Sequence, residues 1–437
     1  MDGIGRVRWS RGLRPGAPGS RPTRLELFYD LVFVFAFINV TTLTAANPTP
    51  RGLAQGLVVL ALLWWAWAGF AALGNMVRTD QGVLPFVAFS TMGGAFLFIL
   101  AMPQAFRQTT GGLPGPLLFA VCYCVVRAVP VAVFGWLARS DAELRRGFLG
   151  VLVRGLVVGT LVLAAALVPQ RLTDDPGEAW LRLVLWCVAL VVDYTAALAL
   201  RGTGWTVVSA GHWAERHALI VLVALGETII ALGLGGDSVA ELPLTWPVLV
   251  AALLSVAVVA GLWWAYFDTL AAALEQALHR AREPSVRAVL ARDAYSYLHL
   301  PLVAGPVLFA LGLKGLLGGV AGPHVPLGGA RFAGFDLLVL YSGVALYLLT
   351  LVGLGWRVLR LVRWPTLVGF AVLGVAFPVA ARLSELAALA LLAVTVLVAV
   401  AVQTLVDARL RQRVREAVLA EQLAAEAEQT SWRGRHL

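Results

Sequence analysis

Between Leu25 and Val406 nearly every stretch of the chain is an apolar run of about 18 residues or more, the length that crosses a bilayer as a helix. That feature removes most architectures at once. Hydrocarbon offers backbone N–H and C=O groups no partner, so such runs must close their hydrogen bonds internally, as helices. A chain of 437 residues would otherwise suggest two or three soluble domains. Only 14% of these residues are charged and the mean hydropathy is +0.82, whereas soluble domains carry roughly a quarter charged residues. The expected fold is an all-α membrane protein of about twelve transmembrane helices.

Breaker residues divide the runs into expected crossings at 25–45, 52–74, 84–103, 114–137, 147–168 and 179–200, then 214–235, 247–272, 294–316, 335–356, 365–382 and 385–405. The separators are Asn47-Pro48, Gly111-Gly112, Asp175-Pro176-Gly177, Gly235-Gly236 and the Gly/Pro-rich stretch 318–330. The first run follows an Arg-rich leader with no small-residue cleavage site, and is read as a permanent helix rather than a signal peptide. The expected organisation is a basic N-terminal segment (1–24), a helical bundle (25–405) and a tail (406–437) in which Arg, Glu and Ala alternate with helical spacing.

The net charge is +9 and the pI about 10.1, a balance that in a soluble chain would point to nucleic acid. The arginines say otherwise. They cluster at Arg6, Arg8, Arg11, Arg14, Arg21 and Arg24, then at Arg139, Arg145 and Arg146, at Arg280, Arg282 and Arg287, at Arg357, Arg360 and Arg363, and at Arg409, Arg411, Arg413 and Arg415. With twelve crossings these clusters fall in alternate loops on one side, the positive-inside pattern. Both termini are therefore expected in the cytoplasm and the bilayer is expected to be the cell membrane, with no nucleic-acid partner.

Short words recur at a distance. Leu63-Trp64-Trp65-Ala66 reappears as Leu262-Trp263-Trp264-Ala265, and Gly135-Trp136 as Gly355-Trp356. Each pair is six expected crossings apart, which predicts a parallel tandem 6+6 repeat with halves 25–200 and 214–405. Cys122, Cys124 and Cys187 lie inside apolar runs without metal-ligand companions and are expected to be small buried packing residues.

Ionisable side chains inside the bilayer cost on the order of 3 kcal/mol each and need a pairing or functional reason to be there. Glu26 and Asp30 are four residues apart on the first crossing, so both carboxylates share one face. Two close carboxylates do not ionise together easily, which makes the pair a natural proton or cation site. The seventh crossing carries His212, Glu215, Arg216 and His217, then Glu227 among apolar neighbours. Arg216 and Glu227 are eleven residues apart, three turns, and share a face. His212 and His217 are five apart and point to different faces, so they are read as interfacial histidines rather than a metal clamp, and no metal is expected. Further candidates are Arg78 with Asp80, Asp193, Asp268, and the i,i+4 pairs Asp293/Tyr297 and Tyr295/His299. Arg127 is deep enough to pair with an acid, while Lys314 and Glu385 are read as snorkelling to the interfaces. No GxxxxGK[ST], GxGxxG, GxSxG or CxxC motif is present.

The stretches ELFYDLVFVFAF, HWAERHALIVLVALGETIIALG and YSYLHLPLVAG resemble the bacterial low temperature requirement A family. The resemblance rests on Glu26, Phe28, Asp30, His212, Glu215, Arg216, Gly226 and Glu227, and it implies a multi-pass membrane protein connected with growth in the cold.

The buried carboxylates predict a transporter or permeation protein for a small solute or ion, with Asp30 and Glu227 as proton or cation sites and Arg216 or Arg78 as counter-charge. The alternative is a membrane-embedded enzyme acting on a lipid or isoprenoid, in which the 15 tryptophans wall a pocket and buried acids serve as general acids. A third reading is a structural membrane protein whose charges only hold the bundle together. Expected partners are the bilayer, a small solute, ion or lipid substrate, and a second copy of the chain. No cofactor or catalytic residue is assigned.

Overall fold

A computed structural model describes residues 19–107, 111–139, 142–174, 177–199, 207–233, 245–320, 331 and 334–436. The separators Asp175-Pro176 and Gly235-Gly236, most of 318–330 and most of the basic N-terminal segment lie outside them.

Caps and breakers delimit the helices. Helix α1 (Arg24–Ala45) starts at Thr23, whose hydroxyl accepts from Glu26 N (3.3 Å) while Glu26 Oε2 accepts from Thr23 N (2.8 Å), a reciprocal capping box. Thr49 caps α2 (Pro50–Met76), with Pro50 at the first position, where a missing N–H costs nothing. Gly82, in the left-handed region at φ +64°, turns the chain into α3 (Leu84–Leu100). There follow α4 (Gly115–Ala138), α5 (Ala142–Leu167), the single turn α6 (Pro169–Leu172) and α7 (Gly177–Ala199). The second part holds α8 (Ala210–Gly233), α9 (Trp246–Phe267), α10 (Leu270–Arg280), α11 (Pro284–Leu290), a π-helical turn at Ala291–Tyr297 and α12 (His299–Val320). Last come α13 (Gly334–Leu354), α14 (Trp364–Ala380), α15 (Glu385–Val406) and α16 (Ala408–His436). Among the described residues the only extended pairing is an isolated bridge between Arg331 and Ser384.

Each stretch read as a crossing overlaps a helix, but only nine helical stretches among the described residues, not twelve, are long and apolar enough to span a membrane. Helices α3 and α14 are apolar but only 17 residues long, and α8 carries Glu215, Arg216 and Glu227 within its 24 residues. The expected run 247–272 is broken at Asp268, and α10 begins at Leu270.

Two layers emerge from burial. Helix α2 is enclosed along most of its length, with Val59, Leu62, Trp67 and Ala71 fully buried, and α8 and α12 pack beside it and against α1. Helices α3, α5, α7, α9 and α14 lie outside and expose Phe86, Leu156, Val191, Leu253 and Val375. Large apolar side chains at mid-helix, facing outward, are what a hydrocarbon environment requires and water forbids. Cys187 is also exposed on this outer surface, so it is not the buried packing residue expected; Cys122 is buried and Cys124 partly so. The recurring Trp words occupy unlike settings: Trp64 and Trp65 are buried, while Trp263 and Trp264 are 40% and 42% exposed.

Helices α12 and α13 pack tightly together. A Cβ at Gly343 would stand 2.6 Å from Gly305 O and 2.7 Å from Phe309 N, so two backbones meet where small residues permit it.

Candidate functional site

Helices α1 and α8 run side by side in the same direction, and two polar layers cross their seam. In the first, Arg216 Nη2 donates to Asp30 Oδ1 (2.7 Å) and Arg216 Nη1 lies 3.8 Å from Glu26 Oε1. His212 Nε2 is 3.1 Å from Glu26 Oε2, which also accepts from Thr23 N. Trp67 Nε1 of α2 donates to Asp30 Oδ1 (2.7 Å), and the Arg216 guanidinium rests over the Trp67 and Phe70 rings. Glu26 and Arg216 are fully buried and Asp30 and His212 nearly so. Helical spacing makes this layer: Glu26 and Asp30 are one turn apart on α1, as His212 and Arg216 are on α8.

Asn75 Nδ2 donates to Ser209 O (2.7 Å) and lies 3.4 Å from His212 Nδ1, while Asn75 Oδ1 accepts from Val208 N (2.8 Å). His212 thus bridges the layer, its Nδ1 facing the Asn75 amide and its Nε2 facing Glu26. The layer holds two carboxylates against one guanidinium and one imidazole. Glu26 Oε1 and Asp30 Oδ2 have no hydrogen-bond partner among the described residues. Gly74 of α2 shapes the floor, since a Cβ there would overlap Glu26 Oε1.

The second layer lies eleven residues further along both helices, about 16 Å away at the helical rise. Thr41 Oγ1 donates to Glu227 Oε1 (3.0 Å), and Lys314 Nζ of α12 donates to Thr41 Oγ1 (2.5 Å) at 3.8 Å from the same carboxylate oxygen. Glu227 is fully buried and its Oε2 has no hydrogen-bond partner among the described residues. Lys314 does not snorkel to an interface, as its position suggested. It points into the bundle because Glu227 waits there.

His217 turns away from the first layer, as its spacing from His212 requires, but neither histidine is interfacial: they are 0% and 2% exposed. His217 sits among the rings of Trp64, Trp67, Trp213, Tyr295 and His299 and donates from Nδ1 to Trp213 O. His299 is bonded to Ala294 O and to Tyr266 Oη, both at 2.8 Å. The π-helical turn widens the local spacing and alters the expected pairs. Tyr295 stacks on His299 at 5.0 Å, but Asp293 pairs with Arg292 and Arg357 while Tyr297 donates to Tyr194 O.

The remaining candidates do not join the seam. Asp193 is fully buried but meets Arg127 (3.0 Å) and Arg154 (3.4 Å) between α4, α5 and α7. Arg78 and Asp80 pair with each other at the exposed end of α2, and the Arg78 hydrogen bonds hold the Asp80 carboxyl below the usual carboxylate range. Glu215 faces Arg21 and is half-exposed. Asp268 receives Arg411 and Arg415 of α16, which fastens the tail helix to the end of α9. Trp67, Asn75 and Thr41 complete the seam layers without a signal in sequence, while Lys314, a charge inside an apolar run, carries one that suggests snorkelling. Among the described residues no three His, Cys, Asp or Glu side chains converge as metal ligands would.

A model of the family described as bacterial low temperature requirement A protein matches residues 21–402, a stretch that contains both layers. An uncharacterized protein of Rhizobium meliloti is 30% identical over 297 residues, 66% of this chain and 67% of that protein. No solved structure matches the chain.

Proposed function

We propose that this chain, which belongs to the bacterial low temperature requirement A family, is a transporter or permeation protein that moves a small solute or ion and takes up a proton or cation on the α1–α8 seam. The observation that carries this reading is the charge count of the first layer. Glu26 and Asp30 face a single guanidinium, His212 meets Glu26 through Nε2, and one oxygen of each carboxylate has no hydrogen-bond partner among the described residues. A buried net charge is expensive, so a proton or a small cation completes the layer. The Thr41–Glu227–Lys314 layer is a second acceptor on the same seam. Between them lie Phe33, Ala36, Phe37 and Val40 of α1 and Ile220, Val221 and Ala224 of α8, all buried. This apolar plug separates the two acceptors, and passage between them requires the seam to part, as alternating access does.

The same reading places twelve crossings in the plasma membrane, with both termini and the arginine-rich loops in the cytoplasm. Uptake into proteoliposomes tests it: wild-type uptake should depend on pH or on a cation, and Glu227→Gln should abolish that dependence. Uptake indifferent to both, with Glu227→Gln equal to wild type, removes the reading.

A second reading, an enzyme acting on a lipid or isoprenoid, draws support from a cavity of about 630 Å³ walled by Trp65, Tyr123, Phe134 and Phe148. Arginines rather than carboxylates line that cavity, so its chemistry would have to begin from cationic groups. Formation of a new lipid species from a polyprenyl substrate would favour it.

A further inference from the structure

We infer that the cavity between α2, α4 and α5 is a binding site for an amphiphile with one anionic headgroup, carboxylate or phosphate, anchored on Arg154 and Arg127. The inference is independent of the transport reading, because neither seam layer touches this cavity. At about 630 Å³ it falls in the size range of small-ligand sites. Its wall is mostly aliphatic and aromatic, yet Arg127, Arg154 and Arg292 line it and no carboxylate does among the described residues.

The charge at its inner end is not balanced. Arg127 and Arg154 sit at the middle of α4 and α5, where a bilayer tolerates charge least. They share one carboxylate, Asp193, which is fully buried behind the cavity wall. Arg127 takes most of it, placing Nη2 3.0 Å from each Asp193 oxygen and using Nη1 on Trp65 O (2.9 Å). Arg154 is left with one ion-pair distance of 3.4 Å and a seat over the Trp65 ring at 5.8 Å. That one contact is made by Nε, which faces Asp193 without completing a hydrogen bond, and the neighbouring Tyr123 Oη is buried without a hydrogen-bond partner among the described residues. Two guanidiniums sharing one carboxylate, a hydroxyl without a partner and an apolar chamber together describe the complement of an anionic amphiphile. Arg292, already paired with Asp293, lines the same chamber and adds positive potential.

The chamber also offers a clean way to block it. Gly155 lines it, and a Cβ added there meets nothing within 4 Å, so a large side chain would enter the space rather than distort the helix. The test uses the full chain in nonionic detergent, titrated with the fluorescent probe dansyl-undecanoic acid and, in parallel, with its methyl ester. The acid should bind about tenfold more tightly than the ester or better, the difference one hydrogen-bonded charge supplies. Arg154→Gln should erase that preference, Arg154→Lys should keep part of it, and Gly155→Phe should weaken acid and ester alike by about tenfold or more. Dodecyl phosphate and an anionic phospholipid compete in separate arms, so displacement by the first alone marks a free amphiphile and displacement by the second marks a membrane lipid headgroup. Equal affinity for acid and ester, wild-type binding by Gly155→Phe, or displacement by neither competitor overturns the inference. Should Arg154→Gln not fold, the acid-to-ester ratio of the wild type and the Gly155→Phe titration still decide.

Discussion

Arg216 Nη2 lies 2.7 Å from Asp30 Oδ1 across the α1–α8 seam, and both side chains are closed off from the surface. Removing one partner leaves the other charged, buried and unpaired, which is the costly way to break such a contact. Arg216→Met should therefore destabilise the detergent-solubilised protein by about 3 kcal/mol or more, and Asp30→Asn by a smaller amount because Trp67 still donates to the amide oxygen. The double variant should recover part of the loss. Thermal unfolding of the four proteins measures the cycle, and strictly additive losses would show that the two groups do not interact.

Gly74 leaves room for the Glu26 carboxylate, and a Cβ there would overlap Glu26 Oε1. The obstacle is the end of a side chain rather than backbone, so Gly74→Ala should fold, at a cost of about 1–3 kcal/mol, and should push Glu26 off His212. A change in the imidazole resonance of His212 by NMR, with a modestly lowered melting temperature, checks this. An unaltered resonance would mean that Glu26 absorbs the methyl without moving.

Much of this was legible in the residues. Apolar runs marked where helices lie, and the i,i+4 spacing of Glu26 and Asp30 put both acids on one face before any packing was known. Arg216 and Glu227, three turns apart, proved to face the same neighbour, α1. What stayed hidden is partnership across long separations. Lys314 meets Thr41 over 273 residues, and Asp193 rather than Asp30 takes Arg127, because which helices touch is decided by packing and leaves no spacing to read. The π-helical turn at Ala291–Tyr297 hid a second detail, since i,i+4 logic fails where the helix widens.

The α12–α13 contact offers a test of packing alone. A Cβ at Gly343 faces the Gly305 carbonyl and the Phe309 amide, which are backbone and cannot swing aside. Gly343→Val should cost about 1–3 kcal/mol by forcing the helices apart, read as a lower unfolding temperature. Gly374→Val, where a Cβ meets nothing within 4 Å, should leave that temperature nearly unchanged.

Arg78 and Asp80 supply the contrasting case of an exposed pair. Both side chains are more than a third exposed, so the pair contributes at most about 1 kcal/mol. The folded protein holds the Asp80 carboxyl below its ordinary value through Arg78, so this small contribution is present above the ordinary carboxylate range and fades as pH falls through the folded value. Asp80→Asn should unfold within that margin of wild type at neutral pH, and the difference should vanish in acid. A large difference at neutral pH would place Asp80 in the working part of the molecule.

The central claim is that the Glu26–Asp30–Arg216–His212 layer takes up a proton or cation. Its most direct test is flux into proteoliposomes that trap a pH indicator, driven by an imposed membrane potential and repeated with sodium or potassium as the only cation. Wild-type protein should carry a proton or cation current above empty vesicles, and Asp30→Asn, reconstituted to the same level, should lower it by about tenfold or more. A current absent from the wild type under all of these gradients, or equal in Asp30→Asn, would contradict the claim.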